Sequence, residues 1–373
     1  MAKVVVLAHH AVSLLNFRRH FIRDLVAQGA QVFCLAPDYD RPSREEVQAL
    51  GAVPMDYCLA RTGMNPIRDV RDMLLLLRML HRLKPDVTFA FSIKPVIYGT
   101  FAAWLARVPR RVVMIEGAGY VFTAGGIPPG WRRRGLRWIV EKLYRTALSR
   151  AHRVIFLNPD DLQEFVERKL ANPNRTALLG GIGVDLDEWA VAPPVYEPVT
   201  FLLVARLLRE KGILEYVEAA RCIKRVHPAV RFILLGGLDT NPGALSRQEI
   251  DAWVKEGILE WPGHVVVQPW IAKSSVFVLP SYREGVPRST QEAMAMGRPI
   301  ITTDAPGCRE TVVNGYNGFL VPVRDINRLM HAMLCFVKSP DLILPMGAAS
   351  REIAEELFDV KKVNAVLLKW LYT

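Results

Sequence analysis

The first turn of the chain lacks the G-x-G-x-x-G run of a dinucleotide-binding fold and reads His9-His10-Ala11-Val12-Ser13-Leu14-Leu15-Asn16-Phe17 instead. A nicotinamide enzyme is thereby disfavoured, because those glycines make the tight turn and let backbone approach a pyrophosphate. Cysteine is scarce. Cys34, Cys58, Cys222, Cys308 and Cys335 form no C-x-x-C pair, so neither a disulfide framework nor a zinc site is indicated and a reducing compartment is expected. No uncharged apolar run approaches the roughly 20 residues that span a bilayer. Residues 1–8 are too short for a signal peptide and read as a strand. Internal repeats, low-complexity tracts and RRM or KH signatures are missing, which disfavours nucleic acid as a partner. No D-x-D pair stands where a metal would be held; Asp38-Tyr39-Asp40 falls in a loop after a strand and reads as solvated.

What is present fits a globular protein. The chain has 373 residues, 51% of them hydrophobic and 23% charged, more than one ordinary core accommodates, so two domains are expected. The net charge of +11 is uneven. Residues 1–192 carry 27 Lys/Arg against 18 Asp/Glu, and residues 193–373 carry 21 against 19. The positive field belongs to the first half and favours an anionic partner there.

Strand and helix signals alternate along the first half, which predicts a doubly wound α/β domain. Strands are expected at 3–8, 31–36, 87–91, 112–115 and 154–157, with helices near 17–28, 45–50 and 67–83. In the last of these, a weaker candidate for membrane contact, Leu74–Leu77 is expected to face a core instead. A linker is expected at 190–198, around Pro193, Pro194 and Pro198. The second half offers strands at 200–204, 231–235 and 264–267, a turn and strand at 315–321, and helices at 326–337 and 352–372.

The most informative stretch is 276–310, VFVLPSYREGVPRSTQEAMAMGRPIITTDAPGCRE. An apolar strand ends at Pro280, a loop carries Glu284, Gly285, Val286 and Pro287, a short helix runs from Ser289 to Met296, and a strand follows Pro299. Open parallel sheets place ligands at that end of their strands. Two carboxylates eight residues apart, Glu284 and Glu292, also suit a glycosidase acid/base pair, and Ser289-x-x-Glu292 also reads as a capping box.

The pattern E-G-x-P…E-A-x-A-x-G-x-P resembles the donor-binding segment of retaining family-4 glycosyltransferases. The resemblance implies the GT-B fold: two facing Rossmann-like domains with an interdomain cleft, here 1–190 for the acceptor and 199–373 for a nucleotide-sugar, with the last helix packing back on the first domain. It implies that Glu284 contacts the transferred sugar and Glu292 the ribose hydroxyls, beside Gly285, Val286 and Pro287. Arg206 and Lys211, in R-x-x-x-x-K-G, resemble the family's diphosphate clamp; cations there would meet the charge that grows on the leaving oxygen. Gly236, Gly263 and His264 would line the donor side, though plain turns account for the glycines equally well. Gly180-Gly181-Ile182-Gly183-Val184-Asp185 is similar to the motif before the family's interdomain crossing, with Ile182 where serine is usual.

In the first half, I-K-P-x-I-Y-G at 93–99 and E-G-x-G-Y at 116–120 look like transferases that extend polyprenyl-diphosphate-linked sugars. Glu116 stands where many relatives carry a histidine, a position from which it would bind a sugar hydroxyl or take the acceptor proton. Lys94 would meet an acceptor phosphate, and His9, Ser13, Asn16, Gly117 and Gly119 would complete the acceptor pocket; a solvated lysine and simple loop or cap groups are the bland readings. Trp131, Arg132, Arg133, Arg134, Arg137 and Trp138 mix aromatic and basic residues as a lipid headgroup interface does, or form an ordinary basic helix. The expected activity is retaining, metal-independent transfer, without cofactor, of an N-acetylhexosamine from a UDP-sugar to a polyprenyl-diphosphate-linked saccharide. The expected place is the cytoplasmic face of the cell membrane, with an anionic membrane surface as partner. The alternatives are a GDP-mannose or other donor in polysaccharide synthesis, and a noncatalytic sugar-nucleotide-binding protein.

Overall fold

Runs such as Val-Val-Val-Leu at 4–7 and Val-Phe-Val-Leu at 276–279 are apolar at successive positions rather than alternating. That is the signature of strands covered on both faces, as in parallel sheets with helices on each side. The computed structural model describes residues 1–59, 66–117, 131–239, 241 and 243–373, without the side chains of 131–134 and 136. It has two units: Met1–Gly180 with Lys362–Thr373, and Gly181–Lys361.

The first unit holds strands β1 (Lys3–Leu7), β2 (Gln31–Ala36), β3 (Val53–Asp56), β4 (Val87–Phe91), β5 (Arg110–Ile115), β6 (Arg153–Phe156) and β7 (Thr176–Leu178). They form one sheet in the order β3-β2-β1-β4-β5-β6-β7, parallel throughout. The chain reverses direction across the sheet between β1 and β4, the switch point where such sheets bind ligands beyond their carboxyl ends. Val5, Leu7, Leu35, Val113 and Phe156 pack from the sheet against Leu76, Leu80, Tyr144 and Phe165 from the helices. The last helix, Val360–Tyr372, supplies its final turns to this unit. Asn364 there donates to Asp24 Oδ2 at 2.6 Å.

The second unit repeats the plan with β8 (Thr200–Val204), β9 (Arg231–Leu235), β10 (Glu260–Gly263), β11 (Val276–Leu279), β12 (Ile300–Thr303) and β13 (Gly318–Val321). Its order is β10-β9-β8-β11-β12-β13, again all parallel, with the switch between β8 and β11.

Several expectations need correction. The strand placed at 264–267 is β10, at Glu260–Gly263; it was missed because Pro262 removes a donor, which a sheet tolerates at an edge. β3 is the matching edge strand of the first sheet, with Pro54 inside it. The single helix expected over 352–372 is two, Ile343–Leu357 and Val360–Tyr372. The break is made by Val184, which donates to Phe358 O at 2.8 Å and accepts from Val360 N–H at 3.0 Å. This pairing places residues 181–198 in the second unit, so the division falls at Gly180 rather than within the proline-rich stretch. Leu76 is buried, but Leu74 and Leu75 are 46% and 37% exposed. Asp38 is not simply solvated: it accepts from the Ala11 N–H at 2.7 Å and pairs with His10 at 2.6 Å. Asp40 caps the helix Arg41–Ala49.

Among the described residues no single helix is long and apolar enough to cross a membrane. The helices Ile326–Lys338 and Pro340–Leu357 pass that test only as a pair, bent by 94°. Leu329, Met333, Phe336 and Ile343 on them are buried in the second unit's core.

Candidate active site

In the second unit the candidate side chains stand beyond the carboxyl ends of β8 and β11, neighbours at the switch point. After β8 the chain makes a short turn, Arg209–Lys211, and enters the helix Ile213–Val226 through Gly212. Gly212 has φ +71°, and a Cβ on it would lie 2.0 Å from Pro280 O at the end of β11. Only glycine lets these two backbone segments approach so closely. The approach delivers Lys211 to the loop after β11, where its Nζ donates to Glu284 Oε1 at 2.5 Å. Both side chains are nearly enclosed, 15% and 14% exposed. Glu284 is fixed from its own side too: its N–H donates to Pro306 O at 2.9 Å. The Tyr282 N–H donates to Glu210 O at 2.9 Å, and its hydroxyl to Glu215 Oε1 at 2.6 Å.

Arg206 pairs with Asp239 at 3.3 Å and is 57% exposed. Its guanidinium therefore stands in solvent past the end of β8. Glu292 lies on the helix Arg288–Ala295, where Arg288 Nε donates to its Oε1 at 2.8 Å. Burial raises the Glu292 carboxyl above its ordinary value, with the Arg288 guanidinium acting against that rise. The capping box does not form. Pro287 is the N-cap residue without a side-chain cap, and Ser289 Oγ donates instead to Val204 O at 3.2 Å. Gly285, Val286 and Pro287 connect Glu284 to this helix. Gly236 N–H donates to Gly263 O at 2.9 Å, and His264 packs over Gly237. Residues 236, 263 and 264, expected on the donor side, are thus together at the ends of β9 and β10.

The first unit gathers its own group beyond β1, β4 and β5. Glu116 follows β5, with Gly117 next to it. Arg18, from the helix Ala11–Ala27, is 2% exposed and donates to Glu116 Oε1 at 2.5 Å. Ser92, just past β4, donates to Glu116 Oε2 at 3.3 Å. Burial raises the Glu116 carboxyl above its ordinary value, opposed by Arg18 and by the Ser92 hydrogen bond. Its side chain is nonetheless 26% exposed, so a ligand can reach it. Lys94 donates to buried Asp69 at 2.8 Å, and Tyr98 donates to the other oxygen at 3.2 Å. The bland reading of a solvated lysine is thereby removed. His9, Ser13 and Asn16 lie at the start of the helix Ala11–Ala27; Ser13 is buried and Asn16 exposed. Gly119 lies outside the described residues, as do the side chains of Trp131, Arg132, Arg133 and Arg134. Farther along the helix Trp131–Leu148, Trp138 is 61% exposed. Arg137 is engaged by Glu141 at 3.0 Å and Glu164 at 3.5 Å.

Sequence reasoning missed the partners: Arg18, Ser92, Asp69, Asp239 and Tyr282. Arg288 alone left a signal, four residues before Glu292 on one helix face.

Two Rossmann-like units, each with its polar residues beyond the strand ends, are the GT-B architecture. A sucrose-phosphate synthase from Thermosynechococcus elongatus shares it at a TM-score of 0.79, with 18% identity and 99% and 98% of the two chains covered. The Anabaena protein HepE, solved with UDP and glucose, shares it at 0.78, with 16% identity over the whole of both chains. Residues 16–180 match the glycosyl transferase 4-like domain and residues 198–339 the glycosyl transferases group 1 family. The chain belongs to the glycosyltransferases that these two domains define, and the glycosidase reading falls. It is 26% identical, over 91% of each chain, to the N,N'-diacetylbacillosaminyl-diphospho-undecaprenol alpha-1,3-N-acetylgalactosaminyltransferase of Campylobacter jejuni. It is also 26% identical, over 82% of this chain and 80% of the relative, to an Escherichia coli protein. That relative is a UDP-Gal:alpha-D-GlcNAc-diphosphoundecaprenol alpha-1,3-galactosyltransferase.

Proposed function

We propose that this glycosyltransferase moves an N-acetylhexosamine from UDP to a polyprenyl-diphosphate-linked saccharide, with retention of configuration and without a metal ion. The observation that carries the reading is the Lys211–Glu284 pair beyond adjacent strands β8 and β11. It sets a cation for the diphosphate against a carboxylate for the sugar, at the place where a parallel sheet binds ligands. Both curated relatives above, by name, act on diphospho-undecaprenol-linked sugars, which supports the acceptor class.

In this reading Arg206 and Lys211 receive the diphosphate, Glu292 holds the ribose, and residues 285–287 bring their backbone to the donor. The N-terminus of the helix Arg288–Ala295, where Pro287 supplies no side-chain cap, adds positive field. The bond from sugar C1 to the phosphate oxygen breaks and its electron pair stays on the phosphate. The acceptor hydroxyl forms the new bond on the same face of the sugar, and its proton passes to the departing phosphate oxygen. Fixed cations suit this step because negative charge grows at that oxygen. Glu116, Lys94 and the residues around His9, Ser13 and Asn16 hold the acceptor. The protein works as a peripheral enzyme on the inner face of the membrane, where exposed Trp138 and the basic first half suit an anionic surface.

The test is an assay on a synthetic polyprenyl-diphosphate-linked saccharide with UDP-N-acetylgalactosamine, UDP-N-acetylglucosamine, UDP-galactose and GDP-mannose, with and without EDTA. Preferred use of a UDP-N-acetylhexosamine, an α-linked product by NMR and an unchanged rate in EDTA are expected. Preference for GDP-mannose, an inverted product or loss of activity in EDTA overturns the corresponding part.

A further inference from the structure

Arg18 is 2% exposed, and a guanidinium so enclosed is retained only where it is paired and hydrogen-bonded. Its Nη2 reaches Glu116 Oε1 at 2.5 Å and Met114 Sδ at 2.9 Å. Its guanidinium lies 4.9 Å from the Phe91 ring centroid and 5.9 Å from that of Phe89. Those rings close the space around it and stack favourably on its face. Ser92 holds the other oxygen of the same carboxylate while standing at φ +70°. A non-glycine residue there is strained and persists where its surroundings hold it, commonly at functional sites. Among the described residues Glu116 has these two partners, and Arg18 is the one charged group that faces it, from the helix Ala11–Ala27; β4 contributes the serine hydroxyl.

We infer that Arg18 and Ser92 are positioning residues: together they hold the Glu116 carboxyl in one orientation, leaving its exposed edge to accept a hydrogen bond from a hydroxyl of the acceptor sugar. The inference rests on the proposed role of Glu116 at the acceptor. A carboxylate has about four acceptor sites, and one donor on each oxygen holds the remaining sites in fixed directions, so the pair narrows which hydroxyl is met. The rise that burial imposes on Glu116 is opposed by both partners, so removing either returns the acid form at higher pH.

The experiment compares Arg18→Lys, Arg18→Met, Ser92→Ala, Glu116→Gln and the Arg18→Met/Glu116→Gln double variant in the transfer assay across pH, with thermal melts. An opposite charge within a few ångströms lowers a carboxyl by about one to three pH units. Arg18→Met therefore moves the acidic limb of kcat/KM up by about one unit or more. Arg18→Lys restores most of that position. Ser92→Ala moves the limb by less, and the double variant is no slower than Glu116→Gln alone. An unmoved acidic limb in Arg18→Met and Ser92→Ala, with Glu116→Gln slow, overturns the inference and leaves the acceptor role intact. Should Arg18→Met fail to fold, Arg18→Lys and Ser92→Ala carry the comparison. Full activity in Glu116→Gln overturns the acceptor role itself.

Discussion

Replacing Lys211 with alanine separates a ligand-binding lysine from one that merely neutralises a neighbour. The side chain is 15% exposed and donates to Glu284 at 2.5 Å, and Glu284 is 14% exposed. Breaking a fully buried pair by removing one member costs about 3–5 kcal/mol. The residual access of water to this pair reduces that to about 1–3 kcal/mol, a fall in Tm of about 2–4 °C for each kcal/mol. Glu284→Gln added to Lys211→Ala removes the carboxylate charge and recovers part of that stability. Ligand binding distinguishes the two roles. A hydrogen bond to a charged group is worth about 1.5–3 kcal/mol, so Lys211→Ala weakens UDP by about 10- to 100-fold while uridine, which has no phosphate, is unaffected. Turnover falls by about 10²–10³-fold, as for other fixed donors aimed at a developing anion. Isothermal calorimetry with UDP and uridine, beside melts and initial rates, measures all three quantities. An unchanged ratio of UDP to uridine affinity in Lys211→Ala refutes the assignment, whatever happens to stability.

Burial lifts the Glu292 carboxyl above its ordinary value of 4.5. Below its raised pKa the group is neutral and a poorer acceptor for ribose hydroxyls, so the donor KM is expected to climb as pH falls, starting above the usual carboxylate range. Glu292→Gln raises KM and flattens that dependence, and a parallel KM–pH curve in the variant counts against the ribose contact. Gly212→Ala brings a Cβ within 2.0 Å of Pro280 O at φ +71°. It is expected to cost at least about 2 kcal/mol and to lower kcat by displacing Lys211; a melt at the parent temperature refutes the close approach. Replacing Arg132, Arg133, Arg134 and Arg137 together by glutamine is expected to release the protein from vesicles containing anionic lipid, at about 1 kcal/mol per lost charge. Unchanged sedimentation with those vesicles removes this segment from the membrane contact.

The chain's own pattern determined the strands and the placement of the candidate site residues. Parallel strands buried on both faces must be continuous apolar runs, so β1, β2, β4, β8, β9 and β11 were legible where they lie. Residues that follow such runs sit at the ligand-binding end without further information, as Glu116, Arg206 and Glu284 do. The edge strands β3 and β10 were not legible, because an edge tolerates the proline that disqualifies a central strand. Nor were the partners. Arg18 meets Glu116 and Lys211 meets Glu284 because the order of strands brings these segments together, and Lys94 meets Asp69 because the helix Pro66–Leu83 packs back beside β4; periodicity carries no trace of either. Tertiary structure also decided against a local rule at Ser289: its spacing to Glu292 suits a capping box, but the hydroxyl is taken by a carbonyl of β8 and the carboxylate by Arg288. The break at Phe358–Asp359 has the same origin, a backbone pairing with Val184 that is remote in sequence. Local chemistry sets what each segment prefers, and contacts between distant segments select which preference survives.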